Sequence, residues 1–115
     1  MRSPILYLSE MLDAARSIRN FTHGMNRETF LEDEKTRSAV TFQLLILGEA
    51  SKAIPADITS RASNLDWRGM ASMRDRLIHS YFNADYDLVW DTVEHEIPQV
   101  EEGIEKLIDE LNYSN

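Results

Sequence analysis

The sequence predicts an all-α fold, an up-and-down bundle of four main helices joined by short helical turns. Three observations carry that prediction. Only four Gly and three Pro interrupt the 115 residues. No run alternates β-branched with polar residues as a half-buried strand would. Instead, apolar residues recur at spacings of three and four along nearly the whole chain, the repeat of a helix with one buried face.

Taken in order, Ser3-Pro4 is an N-cap followed by a first-turn proline. Ile5, Leu8, Leu12 and Ala15 then repeat at helical spacing, so a first helix is expected to about Thr22, with Gly24 just beyond it. Residues 26–32 allow a short helix. A second long helix is expected over about Asp33 to Ala53. Its middle, residues 40–48, is apolar nearly all round, which predicts the central and most buried helix. Pro55 ends it, and residues 56–64 are polar and irregular, with room for one helical turn. Asp66 is a good N-cap for a third helix from about Trp67 to about His79. The last helix is expected to start near Asp85 or Asp87, where negative charge meets the positive helix end. Trp90, Val93, Ile97, Val100, Ile104, Leu107 and Leu111 form its stripe, in the alternation of left-handed bundles. Pro98 lies inside that stripe and is expected to kink it. The length fits a single domain over residues 1–115.

Hydrophobic residues make up 43% and charged residues 28% of the chain, an ordinary globular balance. The absence of cysteine excludes disulfides and cysteine-based zinc sites. The N-terminus lacks the apolar core of a signal peptide, and no apolar run is long enough to span a bilayer, so a cytoplasmic location without membrane contact is expected. The net charge is −8, and it is unevenly placed. From Asp85 onward ten acidic residues face Lys106 alone, a net of −9; residues 1–84 carry +1. So acidic a chain is a poor general binder of nucleic acid, and any RNA contact requires a local basic cluster or a partner. The acidic segment itself reads most simply as a solvated helix face.

Arg74 is the residue that does not fit. On a wheel of 100° per residue, Trp67, Met70, Ala71, Leu77, Ile78 and Tyr81 share one side of the third helix. Arg74 falls in the middle of that side, and Arg76 falls opposite it, toward solvent. An arginine on an apolar face is costly unless its charge is paired or the face opens on a cleft or partner. Two readings stand. Arg74 snorkels or pairs with a buried carboxylate such as Glu49, or it faces an anion site, where a planar guanidinium suits phosphate. His79, five residues on, also has two readings. It forms a surface pair with Asp75 one turn earlier, or that carboxylate orients an imidazole that moves protons. Five residues on an ideal helix set Arg74 and His79 about 140° apart. They converge only if the helix ends before His79 or if two chains share the site. His23 and His95 have no ligand partner at a useful spacing; Glu94 and Glu96 flank His95 but point away from it on a helix. No metal site, no Gly-rich phosphate loop and no nucleophile elbow is expected.

The segment Arg74-Asp75-Arg76-Leu77-Ile78-His79-Ser80-Tyr81-Phe82 resembles the Arg-x4-His motif of HEPN-type ribonucleases, in the HepT-like form where a Tyr follows the His by two residues. The block Gly48–Pro55 is similar to the end of that family's second helix. The stretch from Asp85 to Val100, with Trp90 and Pro98, is similar to its last helix. The resemblance covers essentially the whole chain. It implies a helical bundle that forms a homodimer and brings two copies of the motif to the base of a cleft. It implies metal-independent cleavage of RNA with no cofactor. His79 would act as general acid or base, Arg74 would stabilise charge on the phosphate, and Asp75 and Arg76 would support them. It further implies a toxin of a type VII-like toxin–antitoxin pair. Its antitoxin, a nucleotidyltransferase, neutralises it by transferring AMP to Tyr81, where added phosphate would occupy the anion position and repel RNA. One position departs from the family pattern: Asp75 stands where Asn is usual. A carboxylate there repels phosphate unless it holds His79 or pairs with Arg76.

Two other functions compete. One is a non-catalytic helical dimer that binds a nucleotidyltransferase or nucleotides. The other is a histidine phosphotransfer domain, which needs an exposed mid-helix His with a neighbouring Lys, whereas His79 is placed at a helix end.

Overall fold

A computed structural model describes residues 3–80 and 84–113. Helices are the only regular structure among them. Helix α1 spans Pro4–Phe21, α2 Arg27–Glu32, α3 Glu34–Lys52 and α4 Ala56–Thr59, the last running into a 3₁₀ turn at Ser60–Ala62. Helix α5 spans Trp67–His79 and α6 Tyr86–Asp91, and a π-helical stretch at Thr92–Glu96 leads into α7, Ile97–Tyr113. The bundle, the short helix at 27–32, the turn after Pro55 and the Trp67–His79 helix agree with the sequence reading.

Local chemistry explains these boundaries. The Ser3 hydroxyl accepts the Leu6 N–H at 3.4 Å, and Pro4 needs no donor in the first turn. After α1 the chain reverses through Gly24 at φ +78°, the left-handed region that favours glycine. Asn26 and Thr29 cap each other reciprocally at the start of α2. Asp33 ends α2 and begins α3. Its carboxylate accepts from the Thr36 N–H at 3.0 Å and the Thr36 hydroxyl at 2.9 Å, and these bonds hold the carboxyl below its usual range. Asp66 accepts the Gly69 N–H at 2.9 Å, and Asp85 accepts the Leu88 N–H at 3.1 Å.

Helix α1 packs against α3 and α7, α3 against α5, and α2 against α3 and α6. Every apolar residue predicted for the last helix is buried except Leu111, which is half-buried. Phe30 is fully enclosed, its ring 5.2 Å from that of Trp90, and this contact seats α2 on α6. Helix α3 is central, as predicted, but it is not buried all round. Val40, Leu44 and Leu47 enter the core, Leu45 and Ile46 are half-buried, and Phe42 is 60% exposed. The apolar girdle of α3 therefore covers a core on one side and opens to solvent on the other.

Two further expectations are corrected. The distortion near Pro98 takes a specific form. A proline at 98 cannot donate to the Glu94 carbonyl, and its ring crowds it. The chain answers one turn earlier, where the Ile97 N–H reaches back to the Thr92 carbonyl, a five-residue step. Within this wider turn His95 Nε2 lies 3.2 Å from Glu94 Oε1, so Glu94 does not point away from His95. The acidic segment is also more than a solvated face. Glu101 pairs with Arg16 and Arg19, Glu105 with Arg16 at 2.6 Å, and Asp87 and Asp91 with Arg27. These pairs span α1–α7 and α2–α6, so part of the acidity of the last segment matches the arginines of the first. Asp87 and Asp91 raise the affinity of the Arg27 guanidinium for its proton by accepting its hydrogen bonds.

Candidate functional site

The seam between α3 and α5 positions Arg74. Helix α5 begins at the Asp66 cap and presents Met70 and Leu77 to the core. Arg74 lies between them in sequence and faces α3 at Gly48. A Cβ at Gly48 would sit 2.4 Å from the Arg74 Cβ and 2.8 Å from the Met70 carbonyl oxygen. Only glycine allows the two helices to approach this closely. The close approach brings the Arg74 side chain, 25% exposed, against the next residue of α3: Arg74 Nη2 lies 2.9 Å from Glu49 Oε2. Arg74 Nη1 donates to Asp75 Oδ1, also at 2.9 Å. The same Asp75 oxygen is 3.6 Å from Lys52 Nζ. Arg74, with support from Lys52, holds the Asp75 carboxyl below its usual range.

The expectations for this region divide. Glu49 is the partner of Arg74, as one reading proposed, but it is 65% exposed and not a buried carboxylate. Asp75 joins neither His79 nor Arg76; Arg74 and Lys52 take it instead, because an α5 residue beside Arg74 faces the end of α3. His79 is exposed on the last turn of α5, and Arg76, also exposed, lines a separate depression with Met73, Leu88 and Thr92. The helix does not end before His79, so the first of the two ways to bring Arg74 and His79 together, an early end of the helix, does not occur. Tyr81 lies outside the described residues.

A groove of about 660 Å³ opens beside Arg74. Tyr7, Glu10 and Asp13 of α1 form one wall; Gln43 and Glu49 of α3 and Ile78 of α5 face them. Next to it, Phe42, Leu45 and Ile78 line a second depression that reaches Ala84 and Tyr86. Phe42 and Ile78, 60% and 42% exposed, place two large apolar side chains in open view on the face that carries Arg74. Among the described residues, no group of three or more His, Asp or Glu comes together to hold a metal ion. None of the described helices is long and apolar enough to cross a membrane. Lys52 and Gly48 are the site residues that sequence reasoning did not single out. Their signal was faint: Gly48, Glu49 and Lys52 share one edge of a helix, but which residue of α5 they meet depends on inter-helix register.

An all-helical bundle with an arginine and a histidine five residues apart on one helix has the architecture and motif of HEPN-type proteins. The comparisons are more specific: residues 11–107 match the family described as "Ribonuclease HepT-like", and the chain belongs to this HepT-like ribonuclease family. It is 45% identical over 101 residues to "Probable ribonuclease HepT" of Thermococcus cleftensis, covering 88% of this chain and 92% of that one. It is 37% identical over 105 residues to MJ0127, a candidate RNase of Methanocaldococcus jannaschii, covering 91% and 87% of the two chains. A candidate RNase of Caldanaerobacter subterraneus subsp. tengcongensis, TTE0752, is 32% identical over 108 residues, covering 94% and 96%. No solved structure matches the chain.

Proposed function

We propose that this chain is a metal-independent endoribonuclease toxin whose site is completed by a second copy of itself. The observation that carries the reading is the continuity of α5 through His79. On one chain, Arg74 and His79 leave the helix about 140° apart. A symmetric pair of chains, meeting on the face that exposes Phe42 and Ile78, would let Arg74 of one copy and His79 of the other approach a single phosphodiester.

The chemistry asks little more of the protein. The ribose 2′-OH already lies beside the phosphorus, so positioning and proton transfer suffice. His79 takes the 2′-OH proton or delivers one to the departing 5′-oxygen, and its exposure leaves it open to RNA. Arg74 donates to the phosphoryl oxygens as negative charge builds on them. Asp75 and Arg76 flank this pair as supporting groups. A nucleotidyltransferase partner that adds AMP to Tyr81, two residues beyond His79, would fill the anion position and silence the site.

A second reading has an observation of its own. Arg74 is engaged by Glu49 and Asp75, which is also how an arginine with a purely structural role is held, and a non-catalytic helical dimer that binds the nucleotidyltransferase or nucleotides would look the same. Purified wild type, Arg74→Ala and His79→Ala, incubated with single-stranded RNA in excess chelator, separate the two. The ribonuclease reading expects cleavage by wild type and losses of about a hundredfold or more in each variant with the melting temperature nearly kept. Equal cleavage by all three, or none by folded wild type, contradicts it. Mass spectrometry after co-expression with a nucleotidyltransferase of the antitoxin type should find AMP on the Tyr81 peptide; full neutralisation with Tyr81 unmodified would rule out that mode of control.

A further inference from the structure

Four charged groups form a chain along the α3–α5 seam: Glu49, Arg74, Asp75 and Lys52. Glu49 and Lys52 lie one turn apart on α3, and Arg74 and Asp75 are neighbours on α5. Signs alternate along the chain, so it is neutral as a whole. The joint between Asp75 and its two cations is the informative part. Asp75 Oδ1 takes a hydrogen bond from Arg74 Nη1 at 2.9 Å and lies 3.6 Å from Lys52 Nζ. One carboxylate oxygen thus serves both cations.

This sharing matters when an anion arrives at Arg74. A phosphodiester competes with Asp75 for the Nη1 donor. A carboxylate displaced from Arg74 and left unpaired would stand beside the incoming phosphate and repel it. The groove next to Arg74 already carries the carboxylates Glu10 and Asp13 in its wall, so releasing Asp75 would add to the acidic character of the place where phosphate has to bind. Lys52 is already at the same oxygen, and it can hold Asp75 without any rearrangement of either helix. Lys52 also closes the last turn of α3, where a cation is favoured by the helix dipole, so its position is independently supported.

We propose that Lys52 is a positioning residue of the anion site, which takes over Asp75 when RNA phosphate takes Arg74. The inference rests on the ribonuclease reading of Arg74. Lys52 acts through Asp75 and does not itself contact the phosphate, which distinguishes it from an ordinary basic residue of an RNA surface.

A double-mutant cycle tests this on the full chain. The readouts are the affinity for a short single-stranded RNA carrying 2′-O-methyl groups throughout, and the cleavage kinetics of the matching unmodified RNA. Lys52→Met should weaken binding and raise KM roughly three- to fivefold, the scale of one exposed ion pair, with the loss falling on KM and not on kcat. Asp75→Asn removes the charge that Lys52 would hold and supplies the second background of the cycle. In the Asp75→Asn background, Lys52→Met should change affinity less than twofold, since no charge remains to be managed. Lys52→Arg should retain wild-type affinity. An equal loss on Lys52→Met in both backgrounds would mean a direct phosphate contact and overturn the proposal, as would no loss in either. Arg74→Ala separates the two levels of failure. If it binds and cleaves RNA like wild type, the reading of Arg74 falls and the proposal with it; if it is inactive while the cycle is additive, only the role of Lys52 falls.

Discussion

Arg74 is where sequence and structure inform each other most. Its misfit on the apolar side of α5 is visible from periodicity alone, and Glu49 was nameable as a partner. The rest was not legible, because the contacts of Arg74 depend on which turn of α3 meets which turn of α5. Gly48 sets that register by removing the side chain that would keep the helices apart. A methyl group there would stand 2.4 Å from the Arg74 Cβ, with backbone at 2.8 Å behind it, so neither neighbour can yield cheaply. Gly48→Ala should therefore cost about 1–3 kcal/mol through overpacking, despite the better helix propensity of alanine. It should also lower RNA cleavage, because the shift displaces Arg74. Thermal denaturation alongside cleavage kinetics checks both parts; an unchanged or raised melting temperature with full activity would show that the seam is not tightly set.

At the scale of elements, boundaries were the most readable feature, because short polar side chains state them locally. Asp66 and the start of α5 agree with the sequence reading, as does the Asp33 junction; of Asp85 and Asp87, both offered as the start of the last helical segment, Asp85 is the cap. The effect of Pro98 was foreseen as a kink, but a π turn upstream was not, since which carbonyl the chain will reach depends on packing around Trp90 and Ile97. The Asp66 cap is the element feature with most bearing on function, because α5 carries both Arg74 and His79. Asp66→Ala removes the acceptor for the Gly69 N–H and should cost about 1 kcal/mol. Its effect on cleavage should follow stability alone, without a change in the kcat to KM balance of the folded protein. Urea unfolding together with kinetics well below the midpoint tests this; a specific drop in kcat would instead place the start of α5 in the reacting machinery.

Across the whole molecule, composition foretold an acidic protein but not where its charge is spent. Asp87, Asp91, Glu101 and Glu105 are matched by Arg16, Arg19 and Arg27 from the first helices, a pairing between distant parts of the chain that no local pattern encodes. Glu49 and Asp75 in turn engage Arg74, the cation that RNA would need. An acidic nuclease is consistent with this layout if its substrate is held at a few points by a site assembled from two chains and not by a broad basic surface. The exposed Phe42 and Ile78 lie on the face that such an assembly would cover. In such an assembly one copy would supply Arg74 and the other His79 to the same phosphate. Mixing the two inactive variants, Arg74→Ala and His79→Ala, after subunit exchange measures this sharing directly. Half of the dimers are then mixed and each keeps one intact site of two, so RNA cleavage should return to about a quarter of the wild-type rate. A mixture as inactive as either variant alone, with exchange demonstrated, would contradict the shared site.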